Sequence, residues 1–293
     1  MVLHSPAVSH AGAGPGVDAT PGLRRVGSRT RALRKIPGPA LGATYLSLLV
    51  LLPVAALFAK AFDGGLGAFW NAITESETLA ALKLTLVSSL IVVVVNSIAG
   101  TAIAWMLVRD AKFATNRLIG WLVDLPFAMP TIVAGVVLIS VYGASSPFGL
   151  NIAYTRMAVI VAIAFVTLPF SVRSVQPVLA ALDLDTEEAA ASLGATPWIT
   201  FRRITLPSIL PAILTGAGLA FARACGEYGS VSLFSGNLPF KTEVASVRIF
   251  GLIESDSTPA AAAVSLVLFA ISLVVLAVFG VIRKRVLPVE ADA

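Results

Sequence analysis

The chain has 293 residues, 57% of them hydrophobic and only 13% charged, where a soluble domain carries roughly 25% charged residues; the composition is that of an integral membrane protein whose apolar surface is solvated by lipid. A formal net charge of +5 would suit a nucleic-acid binder, but the basic residues stand mostly beside apolar runs, where they set orientation in a membrane instead. The lone Cys225 excludes an intrachain disulfide and a cysteine-cluster metal site, and the two histidines, His4 and His10, lie in the N-terminal tail, which argues against a histidine-based catalytic centre.

Residues 1–37 are rich in Gly, Pro, Ala, Ser and Arg without periodicity, and predict a disordered basic tail. Arg24, Arg25, Arg29, Arg31, Arg34 and Lys35 stand just ahead of the first apolar run. A cleaved secretory signal is the competing reading, with Ala56-Leu57-Phe58-Ala59 as its cleavage site, but the tail is long and the run exceeds the roughly 7–15 apolar residues of a signal. An uncleaved first helix is the expectation. Apolar runs follow at about 40–60, 79–108, 117–141, 157–176, 209–235 and 260–282, each able to supply the roughly 20 helical residues that cross a bilayer. The third contains Pro126 and Pro130, which predict a kink or break.

Basic residues orient these six spans. Arg109, Lys112 and Arg117 lie in the second-to-third connection, Arg173, Arg202 and Arg203 in the fourth-to-fifth, and Arg283, Lys284 and Arg285 at the C-terminus. The opposite connections are poorer, with Lys60 and Lys83, then Arg156, then Lys241 and Arg248. The positive-inside rule then places both termini in the cytosol. The expected organisation is a tail over 1–37, a first transmembrane helix and outer loop over 38–78, a transmembrane core over 79–283, and a cytosolic tail over 284–293. No internal repeat supports the inverted-repeat layout of many secondary transporters.

The core is interrupted by a polar, helix-prone island, Glu188 to Pro207, reading EAAASLGATPWITFRRITLP. Asp185 is placed to cap a helix whose third position is Glu188, with Glu187 and Glu188 in its first turn, where acid suits the helix dipole. Gly194 is placed to end that helix in a left-handed conformation. Thr196 and Pro197 then start a second short helix, and Pro207 and Pro211 mark the return to the membrane. By spacing alone the island is as well explained by an ordinary amphipathic loop. Energy coupling sharpens it: a phosphate-binding loop needs Gly-Lys followed by Ser or Thr, and the chain contains no Gly-Lys pair. A nucleotide that drives this protein must be hydrolysed on another subunit, and a 185–207 helix-turn-helix would be the lever on which that subunit pushes.

Glu188, Ala189, Ala190, Gly194, Ile204, Leu206 and Pro207 resemble, in identity and spacing, the EAA loop of permease subunits of ABC importers. The stretches Asp124 to Thr131, Gly226-Glu-Tyr-Gly-Ser-Val231 and Ser235 to Glu243 are similar to those of sulfate/thiosulfate permeases of the CysT type. The resemblance covers residues 40 to about 285. It implies an all-α, six-helix type I ABC importer permease in the inner membrane of a prokaryote. It also implies two copies of an ATPase that hydrolyses ATP, a second and related permease of the CysW type, and an extracytoplasmic sulfate-binding protein. No cofactor of its own, no enzymatic activity and no nucleic-acid partner are expected. Molybdate permeases share the EAA loop and a similar glycine-acid-aromatic stretch, so molybdate or another oxyanion is the alternative cargo. An ATPase-independent secondary transporter is the alternative of a different class.

Arg223 and Glu227 stand four apart in the fifth apolar run and therefore on one helical face. An intramembrane charge is costly and points to function: either Arg223 offsets the charge of a passing anion, or the two residues neutralise each other and hold the helix. Tyr228 and Asn237 complete the expected path. Asp124 is expected to pair with a nearby basic group, Asn96 to make an interhelical hydrogen bond, and Gly216 and Gly218 to permit close helix packing. Trp70, Trp105 and Trp121 fit interfacial anchors.

Overall fold

The computed structural model describes residues 38–109 and 115–286, so the tail expected over 1–37 lies outside the described residues. The chain divides into two compact units, Met1–Leu51 and Leu52–Ala293. The described part of the first is helix α1 (Gly38–Leu46) and a π-helical stretch, Ser47–Leu51. The second holds α2 (Leu52–Ala61), α3 (Gly65–Thr74), α4 (Ser76–Arg109), α5 (Thr115–Ala128), α6 (Thr131–Tyr142), α7 (Arg156–Ala181), α8 (Leu184–Ser192) and α9 (Pro197–Thr200). A π-helical turn, Phe201–Thr205, leads into α10 (Leu206–Cys225), followed by α11 (Gly229–Phe234), α12 (Ala245–Glu254) and α13 (Thr258–Val286). Residues 284–286, expected in a tail, are the last turn of α13.

Among the described residues, five helical stretches are long and apolar enough to cross a membrane: Leu41–Ala61, Ser76–Arg109, Arg156–Ala181, Pro197–Cys225 and Thr258–Val286. The bent pair Leu118–Ala128 and Thr131–Tyr142, which meet at 119°, passes the same test of length and apolarity together and gives six spans when counted as one. At about 1.5 Å per residue, the 34 residues of α4 reach well beyond a hydrocarbon core of about 30 Å. A proline ring clashes with the carbonyl four residues earlier; for Pro207 that is Arg203, which lies within the π-helical turn Phe201–Thr205, where a wider turn makes room for it.

At the centre α4, α7 and α10 pack on one another, with α13 on the outer side of α10 and α5 on α7. Small residues set the spacing. A Cβ on Gly100 of α4 would lie 2.6 Å from the Ser171 Cβ of α7. On α10, a Cβ on Gly216 would meet Ser174 of α7 at 3.0 Å, and one on Gly218 would meet Leu276 of α13 at 3.2 Å. Two glycines thus let α10 approach a neighbour on either side, the close packing that membrane helices use. Asn96 crosses from α4 to α7, its Nδ2 donating to the Ala164 carbonyl and to Thr167 Oγ1, each at 2.9 Å.

Two expectations change. The fifth apolar run is not one helix to residue 235: α10 ends at Cys225, and the chain breaks over Gly226–Tyr228 before α11. Gly226 follows the last residue of α10, and the Glu227 carboxylate beyond it reaches forward to Ser230 of the next helix. Arg173 lies inside α7 rather than in a connection, because α7 continues to Ala181. Its Nε donates to Asp124 Oδ1 at 2.8 Å and its Nη2 bonds Asp124 Oδ2, so α7 is tied to α5.

Candidate functional site

The loop between α7 and α10 is built from its caps. Asp183, not Asp185, caps α8: its Oδ1 accepts from the Asp185 backbone N–H at 3.0 Å. The helix starts two residues earlier than expected because Asp183 is the residue with extended backbone. Asp185 and Glu187 then occupy the first turn, and Glu188 falls in the next. At the other end Gly194 has φ +85°. Its N–H donates to the Ala191 carbonyl at 2.9 Å, and that of Ala195 to the Ala190 carbonyl at 3.0 Å. These paired bonds close the Schellman motif, which demands a left-handed residue at Gly194. Thr196 Oγ1 then accepts from the Ile199 N–H at 3.4 Å, with Pro197 in the first turn.

The second arm of this loop is not a separate short helix. From Pro197 the chain runs helically to Cys225, because the π-helical turn absorbs Pro207 without a break. Ile204 lies in that turn, and Leu206 and Pro207 open α10. One arm of the loop is therefore continuous with a membrane span. Glu188, Ala189 and Gly194 are exposed, Ala190 half-buried. Leu193 is 90% and Trp198 67% exposed, two large apolar side chains presented to the surface by the loop.

Sequence reasoning missed the residue that anchors the loop. Glu187 Oε1 accepts from Arg109 Nη2 at 2.6 Å and from Thr205 Oγ1 at 3.0 Å. The Arg109 guanidinium lies over the Trp105 ring at 5.4 Å. Trp105 meets Phe201 edge-on, and Phe201 stacks on Trp198. The available signal was an acid beside the EAA glutamate and an arginine at the end of a span, but such an arginine reads as an orientation signal rather than a partner.

A second cluster forms where helices are broken. Pro130 has extended backbone (ψ 136°) and precedes α6, while Pro126 lies inside α5. Thr131 and Gly229, the first residues of α6 and α11, touch: a Cβ on Gly229 would lie 2.2 Å from Thr131 Oγ1 and 2.8 Å from the Ile132 backbone N. The two breaks therefore sit against each other. The Glu227 side chain has 0% exposure. Its Oε1 accepts from the Ser230 N–H at 3.0 Å and from Ser230 Oγ at 2.9 Å. Its Oε2 lies 2.8 Å from Arg223 Nη1, off the line that a hydrogen bond requires. The pair survives the helix break, so it joins α10 to α11 rather than lying on one continuous face. Arg223 keeps 34% of its side chain exposed.

Tyr228 packs on Phe250 of α12, ring centres 5.1 Å apart. Asn237 stands elsewhere, in a knit loop with φ +53°. There Thr242 Oγ1 donates to the Ser235 carbonyl at 2.7 Å and accepts from the Leu238 N–H at 3.0 Å. Among the described residues no hydrogen bond or ion pair joins Asn237 to Arg223, Glu227 or Tyr228. Near the start of α4, Arg248 of α12 pairs with Glu75 at 2.8 Å and Glu77 at 2.6 Å. Burial raises the Glu243 carboxyl above the usual glutamate range; Arg248 opposes this, and the charges of Glu77 and Glu75 add to it.

The family model of the binding-protein-dependent transport system inner membrane component matches residues 97–288. The sulfate transport system permease protein CysT of Synechocystis sp. is 42% identical over 247 residues, 82% of this chain and 86% of that protein. Its namesake in Escherichia coli is 38% identical over 263 residues, 86% and 95% of the two chains. Among solved structures, a chain of a bacterial alginate ABC transporter in complex with an alginate pentasaccharide-bound periplasmic protein superposes with a TM-score of 0.71 at 18% identity, covering 88% of this chain and 96% of that one. A chain of the inward-facing MetNI methionine ABC transporter gives 0.56 at 18% identity, covering 73% and 100%. At that identity the likeness is one of fold. The chain belongs to the binding-protein-dependent transport system inner membrane components, in the family of the CysT permeases: it is a multi-pass membrane permease of an ABC importer and not an enzyme.

Proposed function

We propose that this chain carries sulfate or thiosulfate across the inner membrane of a prokaryote by alternating access, driven by two copies of a separate ATPase. The observation that carries the reading is the loop closed at Gly194. Its first arm is exposed, and its second arm is the start of the span α10, so a push on the loop is applied to a membrane helix. The names of relatives at 37–43% identity supply the cargo. Glu188, Ala189, Ala190 and Gly194 face the ATPase, and Ile204, Leu206 and Pro207 pass its movement into α10. ATP is bound and hydrolysed on the partner, and this chain holds no cofactor. A related permease of the CysW type forms the other half of the path, and an extracytoplasmic sulfate-binding protein delivers the anion. Both termini and the 185–207 loop lie in the cytosol, with the tail over 1–37 and the core over 79–283.

In this reading Arg223 meets the passing anion. Its guanidinium has five donors, and Glu227 engages only one nitrogen while its other oxygen caps the next helix. Tyr228 and Asn237 lie further along the path, and the break at Pro126 and Pro130 lets α5 and α6 move separately. Labelled sulfate, thiosulfate and molybdate uptake in cells lacking this chain, with and without complementation, tests the cargo: restoration of sulfate or thiosulfate uptake is expected, and restoration of molybdate alone contradicts it. Arg223→Gln is expected to cut uptake at least tenfold while the complex assembles, since about 1.4 kcal/mol is a factor of ten and charge-assisted hydrogen bonds contribute about 1.5–3 kcal/mol.

A further inference from the structure

We propose that Glu187, which lies just outside the EAA pattern, is the joint through which movement of α8 reaches the membrane helices. The inference rests on the reading that a partner ATPase moves α8. Helix α8 contributes no buried residue, and a cavity of about 300 Å³ lies between it and Trp105, Phe201 and Thr205. A helix with no apolar face seated on a core cannot transmit a push by packing; a displacement would be absorbed by the space beneath it. Among the described residues, its hydrogen-bonded tie to the spans beyond the covalent chain is a single oxygen. Glu187 Oε1 holds Arg109, the last residue of α4, and Thr205, the residue before α10.

These two helices both pack on α7 and on each other, so one carboxylate grips two of the three central helices. The grip is shielded: the Arg109 and Glu187 side chains are 16% and 21% exposed, and Thr205 is buried. Screening by salt is weak for such a pair, and charge-assisted bonds are roughly twice as strong as neutral ones. Trp105 fixes the guanidinium from the other side. Glu188, one position on, is exposed instead. The two adjacent glutamates therefore divide the work, Glu188 facing outward to the partner and Glu187 inward to the spans.

The test uses the full assembly in proteoliposomes, with the binding protein outside and ATP within, and reads ATP hydrolysed per labelled sulfate imported. Glu187→Gln is expected to leave assembly and ATP hydrolysis in place and to raise that ratio several-fold. The exchange Glu187→Arg with Arg109→Glu is expected to bring it back toward the wild-type ratio, as neither single reversal does. An unchanged ratio in Glu187→Gln, or no recovery in the exchange, overturns the joint. Where a variant fails to assemble, Glu187→Cys with Arg109→Cys in a Cys225→Ser background is bridged by a short bis-maleimide; the bridge is expected to restore coupling, and failure to do so overturns the proposal. Sulfate uptake by the wild-type assembly that needs no ATP overturns the underlying reading together with the joint, whereas ATP-dependent uptake with unaltered variants overturns the joint alone.

Discussion

Gly194 and Glu243 show how single side chains carry consequences of opposite kinds. A Cβ at Gly194 meets nothing within 4 Å, yet its φ is +85°; the constraint is backbone conformation and not space. Gly194→Ala therefore costs about 1–2 kcal/mol, enough to depopulate the closed turn roughly tenfold. The expectation is a fall in uptake with little change in the melting temperature of the purified chain, because α8 contributes no fully buried residue. Glu243 is the reverse case, a matter of burial. Its carboxyl titrates above the unfolded value, chiefly by desolvation. The folded state thus holds the proton over a pH range in which the unfolded chain has released it, and stability falls as pH rises through that range. Melting temperature measured against pH should decline from the ordinary glutamate range upward, and Glu243→Gln should flatten the decline; an identical slope in the variant contradicts the assignment.

Among the elements, the contact of α6 with α11 is the tightest constraint. Gly229→Ala would drive a methyl to 2.2 Å from Thr131 Oγ1 and 2.8 Å from a backbone nitrogen, so the two half-helices must part. Overpacking of this kind costs about 1–3 kcal/mol, and a lower melting temperature in detergent is expected. Gly251→Ala is the control: it sits in α12 with nothing within 4 Å, and alanine there should be neutral or stabilising by about 0.5–1 kcal/mol. Such elements were only partly legible in the sequence. The spans were, because an apolar run of about 20 residues has few other uses, and so was the turn at Gly194, because only a few residue types end a helix that way. The break after Cys225 was not: apolar residues flank it closely on both sides, so the run reads on through Gly226 to Ser230, and the Glu227 carboxylate that reaches forward to Ser230 there is a contact that hydropathy does not register. The start of α8 was misplaced for a related reason, since Asp183 and Asp185 are equally good caps by identity and only backbone geometry separates them.

At the scale of the whole molecule, the loop proposed to receive the work of ATP hydrolysis stands at one end and a charged pair at a helix break deeper in the chain, with α10 running from the first to the second. It begins beside Thr205, which bonds Glu187, and ends beside Arg223 and Glu227. At about 1.5 Å per residue, the 29 helical residues from Pro197 to Cys225 reach roughly 43 Å, so one continuous helical rod between the loop and the break is long enough to span the bilayer. What the sequence could not supply was the attachment of that rod: Arg109 and Glu187 are 78 positions apart, and pairing at such a distance leaves no local pattern. The central claim is that this rod is moved by a partner's ATP hydrolysis. The most direct measurement is labelled sulfate uptake into proteoliposomes holding this chain, its partner permease and the ATPase, with binding protein outside, comparing lumenal ATP with a non-hydrolysable analogue. The account predicts uptake with ATP alone, abolished by Gly194→Val; equal uptake with the analogue, or full ATP-driven uptake in that variant, would contradict it.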